Sequence, residues 1–397
     1  MTTLKLQYGA VSTDEHIQEA PDVWTSRMSK AKFGDAIPQV RELPDKSEAW
    51  LIANEPALPP SGKFGIAIVS AAMEPRNAVP IRWKDVPKST YVPSERLKTM
   101  DIDQVDTHTF FPNVAGLTNN RFQREGSEEF RFACIRAYND WLAEEWTAYS
   151  PRYISQTITP MWDVEMAVGE INRCFKNGHK AMIWHGAPEV FGLPYFNETH
   201  WDPIYATCQE LRIPMCLHLG AVPVLDTWQG NQPNTSTAIR STRAISAQVQ
   251  IVANVLFSGV LDQFPGLNLI IVESGIGWIP YVLELADHEC HNLGVSAEGL
   301  KTLPAEGFAR QVYANFWYKR FGLENRYEIG VDNIICETDF PHPTSTWPDS
   351  RAAREKALEG IPADECEKML MTNAIGPYNL DVDTSGLGKR HTTSNGG

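Results

Sequence analysis

From Met100 onward the chain alternates short apolar runs with stretches whose apolar residues recur every three or four positions. Runs of that length, bounded by turn residues, read as buried strands. The helical period between them reads as crossover helices on a parallel sheet. Strands are expected at 104–112, 153–159, 180–184, 214–219, 267–273, 311–317 and 333–338, with one more at 11–17. Helices are expected at 128–149, 163–177, 202–211, 242–263, 278–292, 350–359 and 363–376. In "DVEMAVGEINRCFKNG" the apolar stripe is Met166, Ala167, Val168, Ile171, Cys174 and Phe175, and Gly178 closes the helix. Strands separated by helices in this number predict a distorted (β/α)8 barrel of the TIM type over an open doubly wound sheet.

The first hundred residues break the pattern. "LPPSG", "AMEPRNAVP" and "KDVPKSTYVPSE" are proline-rich and aperiodic, which predicts a segment that wraps the barrel, with residues 40–100 as an irregular insertion or arm. Residues 1–380 are read as a single barrel unit. The end of the chain, 381–397, has too little apolar content to pack and reads as a disordered tail.

Composition narrows the partners. A formal charge of −14 argues against nucleic acid and anionic membranes, which call for a basic face. No run approaches the roughly 18 apolar residues of a membrane span, and the opening residues lack the apolar core of a secretory signal, so a cytoplasmic enzyme is expected. The seven cysteines show no CxxC spacing and are expected to be reduced, buried thiols.

In a parallel barrel the reactive groups collect at the C-terminal ends of the strands, which gives weight to polar residues that end apolar runs. "TDEH" supplies Asp14 and His16, "MCLHLG" supplies His218, "IIVESGIGW" supplies Glu273, and "IICETDFPH" supplies Asp339 and His342. Imidazole nitrogens and carboxylate oxygens aimed at one axis suit zinc, manganese or ferrous iron. A second pair of the same spacing, Asp106 and His108 in "VDTHTFFP", competes with the first. His185 closes the fourth strand in "KAMIWHGAPE". "HECH", His288 to His291, falls in a helix whose apolar positions Ile279, Val282, Leu283 and Leu285 mark it as an outer barrel helix. "GIGW" lacks the full glycine pattern of a nucleotide loop.

"STDEHIQEAPDVWTSRM" resembles the opening D-x-H-x-x-E-P-x-D-x-W segment of the amidohydrolase superfamily, in the amidohydrolase-related branch that includes aminocarboxymuconate-semialdehyde decarboxylase-like enzymes. "YFNETHWDPIYATCQELRIPMCLHLG", "FPGLNLIIVESGIGWIPYVLE" and "ETDFPHPTSTWP" resemble that branch's fifth, sixth and eighth strands with their flanks, so the resemblance runs from about Val11 to Leu380. It implies a divalent metal ion (zinc, manganese or iron; one ion, with two as the alternative) held by Asp14, His16, His218 and Asp339. Asp339 would double as general base, and His342 would support the site or touch substrate. The resemblance places "VDTHTFFP" on the second strand, where the branch carries no ligand pair. Asp106 and His108 are therefore expected to be buried and hydrogen-bonded, with "TDEH" as the site.

Two departures from the branch stand out. Asp14 replaces the histidine or glutamate with which many relatives begin, and Glu273 replaces a histidine that the branch's decarboxylases carry on the sixth strand. Glu19, His185 and Glu273 are candidates for further metal or substrate contacts, and Trp184, Phe191, Trp278 and Trp347 for the walls of a substrate pocket. The glutamate tips the expected reaction toward hydrolysis: metal-activated water cleaving an ester, thioester, amide or lactone, with Asp339 or Glu273 moving the proton. The alternative is non-oxidative decarboxylation of a hydroxy-aryl or unsaturated carboxylic acid on the same metal. A third reading is a non-catalytic barrel that serves as a binding protein. The expected partner is a small carboxylic acid or acyl derivative, and a homodimer is expected because relatives are commonly dimers.

Overall fold

The computed structural model describes residues 3–57, 65–124, 126–222 and 233–387. Its main sheet runs through β1 (Val11–Ile17), β2 (Thr107–Pro112), β3 (in two pieces, Tyr153–Ile154 and Gln156–Thr157), β4 (Ala181–Ile183), β5 (Met215–His218), β6 (Leu269–Val272), β7 (Val312–Phe316) and β8 (Ile334–Cys336). Every neighbouring pair is parallel. One piece of β3 pairs with β2 and the other with β4, at the two ends of the sheet order. The sheet therefore closes on itself as an α/β barrel of the TIM type.

The principal helices of the described residues are α1 (Pro93–Asp103), α2 (Glu128–Trp141), α3 (Val164–Lys176), α4 (Asp202–Leu211), α5 (Pro233–Phe257), α6 (Ile279–Leu293), α7 (Pro304–Gln311) and α8 (Ser350–Ala357). Helix α3 shows how local chemistry sets the bounds. The Asp163 carboxylate accepts the Met166 N–H at 2.9 Å, Ala167, Ile171 and Cys174 are buried against the sheet, and Gly178 follows at φ +97°.

Several expected boundaries move. The proline-rich segment holds a three-stranded antiparallel sheet, Gln39–Glu42, Glu48–Ile52 and Glu55–Pro56, in place of loops alone. Trp50 and Ile52 bury themselves in one core with Trp24, Phe110 and Phe111, so the sheet is fastened to the barrel wall. The helix expected at 128–149 winds into a π-helix over Leu142–Thr147. The one expected at 242–263 begins at Pro233 and is broken before Val260–Gln263 by Gly259 at φ +75°. Val382–Asp383 pairs in parallel with Leu4–Lys5, so order continues past the expected start of the tail. Residues 388–397 of that tail lie outside the described residues. All seven cysteines are free thiols, and among the described residues no helix is long and apolar enough to cross a membrane.

Candidate metal centre

Strand β1 reaches the centre through a bulge. Ser12 pairs with His108 and Glu15 with Phe110, so three steps along β1 match two along β2. The extra residue reverses the phase of the strand. Ser12 and Glu15 share the outer face, where the Ser12 hydroxyl donates to the Glu15 carboxylate, while Asp14 and His16 turn inward. His108 is paired with outward Ser12 and lies outside with it.

Asp14, His16, His218 and Glu273 each place one donor atom within 4.8 Å of the others, and so do His16, Asp339 and His342. His16 Nε2 stands 3.7 Å from Asp14 Oδ1 and 3.1 Å from Asp339 Oδ1. His218 Nε2 stands 3.7 Å from Asp14 Oδ1 and 3.4 Å from Glu273 Oε2. Two ligands each about 2.1 Å from a shared ion, at tetrahedral or octahedral angles, are themselves about 3.0–3.4 Å apart, so the set needs little adjustment to close on a cation. Both Asp14 oxygens, His16 Nε2, His218 Nε2 and Asp339 Oδ1 are buried without a hydrogen-bond partner. Buried polar atoms rarely stay unmatched, and this many around one point fit a divalent ion.

Neighbouring groups orient the donors. His218 Nδ1 lies 2.8 Å from the Leu219 carbonyl, which can only accept, so the proton sits there and Nε2 presents its lone pair inward. His342 stacks on His16, with ring centres 3.3 Å apart and planes 7° from parallel. It holds Asn113 Oδ1 at 2.9 Å through Nε2 and faces Asp339 Oδ1 at 3.5 Å through Nδ1. Strand β6 alone would aim Glu273 outward, because its predecessor Val272 is paired with inward-facing His218. A left-handed backbone at φ +56° redirects it, and Asp339 adopts φ +58°.

The acids crowd one another. Burial, then the charges of Asp339, Glu273 and Glu15, push Asp14 well above the usual carboxylate range. Burial and the Asp339 charge raise Glu273 to about 8, and burial raises Asp339 to about 7. Burial also holds His16 and His342 well below the ordinary imidazole value, as neutral donors. A cation at the centre reverses the carboxylate shifts, since its charge becomes the largest in the site.

Three residues that the sequence reading missed belong here. Glu337, raised well above the usual range by burial and by Asp14, accepts the Glu273 N–H at 3.2 Å. Thr344 donates its hydroxyl to Asp339 Oδ2 and lies 3.5 Å from Glu273 Oε1. Lys319 follows β7 and is lowered to about 8 by burial against the opposing pull of Glu337 and Glu273. The rule that found Asp339 would have found Glu337, two residues earlier on the same face, and Lys319, the first charge after the run "VYANFWY".

Other expected contributors are placed elsewhere. Glu19 accepts N–H groups from Val114 and Ala115 at 2.9–3.0 Å, which makes it a loop anchor apart from the grouped donors. His185 meets the Ala187 carbonyl at 3.0 Å and the Phe191 ring edge-on, apart from the grouped donors. Asp106 accepts the N–H groups of Gln7, Tyr8 and Ala10, and His108 lies between Arg96, 3.1 Å from its Nδ1, and Glu15. Trp184 is core, packed on Trp201 and Tyr205. Trp278 bonds the Ser274 carbonyl and Trp347 packs on Phe340. The cavity beside the centre, about 420 Å³, has other walls: Leu219, Ile245, Glu273, Trp317, Lys319 and Thr344 are among them. The four pocket residues chosen for their aromatic rings are absent from its lining because those rings found partners in the core and loops.

Known proteins of similar sequence include gamma-resorcylate decarboxylase of Rhizobium sp., 24% identical over 278 residues that span 65% of this chain and 80% of the relative. The enzyme of the same name from Polaromonas sp. is 25% identical over 268 residues, 63% of this chain and 77% of the relative. Among solved structures, an amidohydrolase from Mycobacterium avium subsp. paratuberculosis has a TM-score of 0.73 at 21% identity, covering 94% of this chain and 100% of that one. Dihydroxybenzoic acid decarboxylase from Polaromonas sp., with bound manganese and the inhibitor 2-nitroresorcinol, has a TM-score of 0.63 at 19% identity, covering 95% and 98%. These relatives overturn the expected order of reactions. The activity named for the Rhizobium and Polaromonas proteins is decarboxylation, the reading ranked second from the sequence, and hydrolysis is withdrawn. The Amidohydrolase family model matches residues 79–380, and on that match, carried by this barrel, the chain belongs to the amidohydrolase family of enzymes.

Proposed function

We propose that the protein is a divalent-metal-dependent decarboxylase of hydroxyaryl carboxylic acids, with Asp14, His16, His218 and Asp339 as the ligands. The observation that carries this reading is the cluster of partnerless donors converging beside a cavity whose wall presents an acid, Glu273. The relatives' named substrates supply the aryl acid, and the manganese in one of them makes manganese the metal of first choice. A divalent cation held here would neutralise the acidic cluster and polarise the oxygens of the substrate's carboxylate and adjacent hydroxyl.

Residues of the chain do the rest. Leu219, Ile245 and Trp317 give an aromatic ring apolar surface to lie against. Glu273, with 14% of its side chain accessible, is the acid of the cavity wall and acts in its protonated form; burial and the Asp339 charge favour that form, and a bound cation would oppose them. Glu273 delivers its proton to the ring carbon bearing the carboxylate. The carbon–hydrogen bond forms, the bond to the carboxylate breaks, its electron pair restores the aromatic ring, and carbon dioxide leaves. Glu273 then regains a proton from water. Thr344, in reach of both Glu273 and Asp339, keeps the acid and the ligand in register.

The test is carbon dioxide release from 2,6-dihydroxybenzoate and related ortho-hydroxybenzoates by manganese-loaded protein. Release that is lost on chelation and restored by manganese is the expected result. No release across the panel from protein carrying a full equivalent of metal would overturn the reading.

A further inference from the structure

The cavity beside the centre holds a cation that the reaction does not use. Lys319 follows the end of β7 and lines the cavity, and among the described residues Lys319 and Glu273 are the charged residues of its wall. Its ammonium lies 3.2 Å from the centre of the Trp317 ring and 4.5 Å from that of Tyr318. The aromatic faces position the charge without consuming its N–H donors. Among the described residues no carboxylate forms an ion pair with it within 4 Å, although acids crowd the neighbouring centre. The side chain runs along the backbone of Gly275, where a Cβ would meet Lys319 Cδ at 3.3 Å and Nζ at 3.6 Å. A hydroxyaryl acid with its reacting end against the grouped donors and Glu273 would bring no second charge to this ammonium.

We infer that Lys319 is a specificity residue that receives a second anionic group, a carboxylate, borne by the substrate away from its reacting end. The preferred substrates are then hydroxyaryl dicarboxylates. This rests on the decarboxylase reading for the reacting end, but recognition by Lys319 can be measured without turnover.

The probes are isophthalate and benzoate, which share the ring and differ by one carboxylate, titrated calorimetrically into manganese-loaded protein. A charge-assisted hydrogen bond in a partly desolvated site corresponds to about tenfold to hundredfold in affinity, so isophthalate should bind tighter by that factor. Lys319→Met should remove most of the preference by weakening isophthalate alone, and Lys319→Arg should recover part of it. Equal binding of the two probes to the native protein, or a preference that survives Lys319→Met, overturns the inference. So does a parallel loss of both probes in Lys319→Met, which marks a structural role. The two failures can be told apart. A Lys319-dependent preference without carbon dioxide from any aryl acid counts against the decarboxylase reading alone, and carbon dioxide release without the preference counts against Lys319 alone.

Discussion

Glu273 and Asp339 are held in a left-handed backbone that non-glycine residues adopt at a cost of about 1–3 kcal/mol each. The neighbouring framework enforces it: Glu337 takes the Glu273 N–H, and Asp14's carbonyl takes the Asp339 N–H at 3.0 Å. Strain at these two positions aims the carboxyl groups proposed as proton donor and metal ligand at one volume. Glu273→Gln keeps the shape and removes the proton, so turnover should fall by about 10²–10⁴ while metal content stays at the native level. The acid acts while protonated. Its value of about 8 is an upper bound once a cation sits beside it, so the alkaline limb of the native rate profile should lie at or below about pH 8 and should vanish with the residual activity of Glu273→Gln. The strand-end rule made His218, Glu273 and Asp339 legible in the sequence. Glu19, a candidate for a further metal or substrate contact, lies apart from the grouped donors. What decides its role is the loop of Val114 and Ala115, whose N–H groups it closes, and that loop is distant in sequence.

At the scale of elements, the bulge in β1 separates two identical motifs. Asp14 and His16 face the axis because one extra residue reverses the strand, whereas His108 keeps the outer phase of Ser12. Family order favoured "TDEH" over "VDTH", and the fold groups Asp14 and His16 with the other donors. The bulge itself was illegible, because D-x-H spacing is the same on either face of a strand. Asp106→Ala strands the N–H groups of Gln7, Tyr8 and Ala10 and should cost about 2–4 kcal/mol in denaturant unfolding, with a full equivalent of metal retained. His16→Ala should leave less than about a tenth of an equivalent of metal. Metal lost from His108→Ala but kept by His16→Ala would move the centre to the other pair. The small sheet around Trp50 escaped notice for a related reason: its strands are short, flanked by proline and turn residues, and stabilised by packing on Trp24 and the barrel wall, which no local pattern displays.

Across the whole molecule, the barrel was legible because its strands are nearly continuous apolar runs, as burial on both faces requires. The formal charge of −14 was legible as well, but not the fact that several of the acids converge on one buried point. That convergence links metal to stability. In the metal-free fold Asp339 and Glu273 titrate near 7 and 8, above their unfolded values of 3.8 and 4.5, so the native chain retains protons that the unfolded chain has released. The contribution of these two groups to the stability of the metal-free protein is full below the ordinary carboxylate range and is lost as pH rises toward about 8. A bound cation lowers both values and removes the slope. The melting midpoints of chelated and manganese-loaded protein should therefore separate progressively between about pH 5 and about pH 8, and midpoints that stay parallel would contradict the acidic cluster as the metal's seat.

The central claim is that proton delivery to carbon, not attack by water, occurs at this centre. Turnover of 2,6-dihydroxybenzoate by the manganese-loaded protein in deuterated, oxygen-18-enriched water tests it most directly. The decarboxylase reading requires one deuterium on the vacated ring carbon for each carbon dioxide released, with no heavy oxygen in the aromatic product. Oxygen-18 in the aromatic product, or carbon dioxide without deuterium on that carbon, would contradict it.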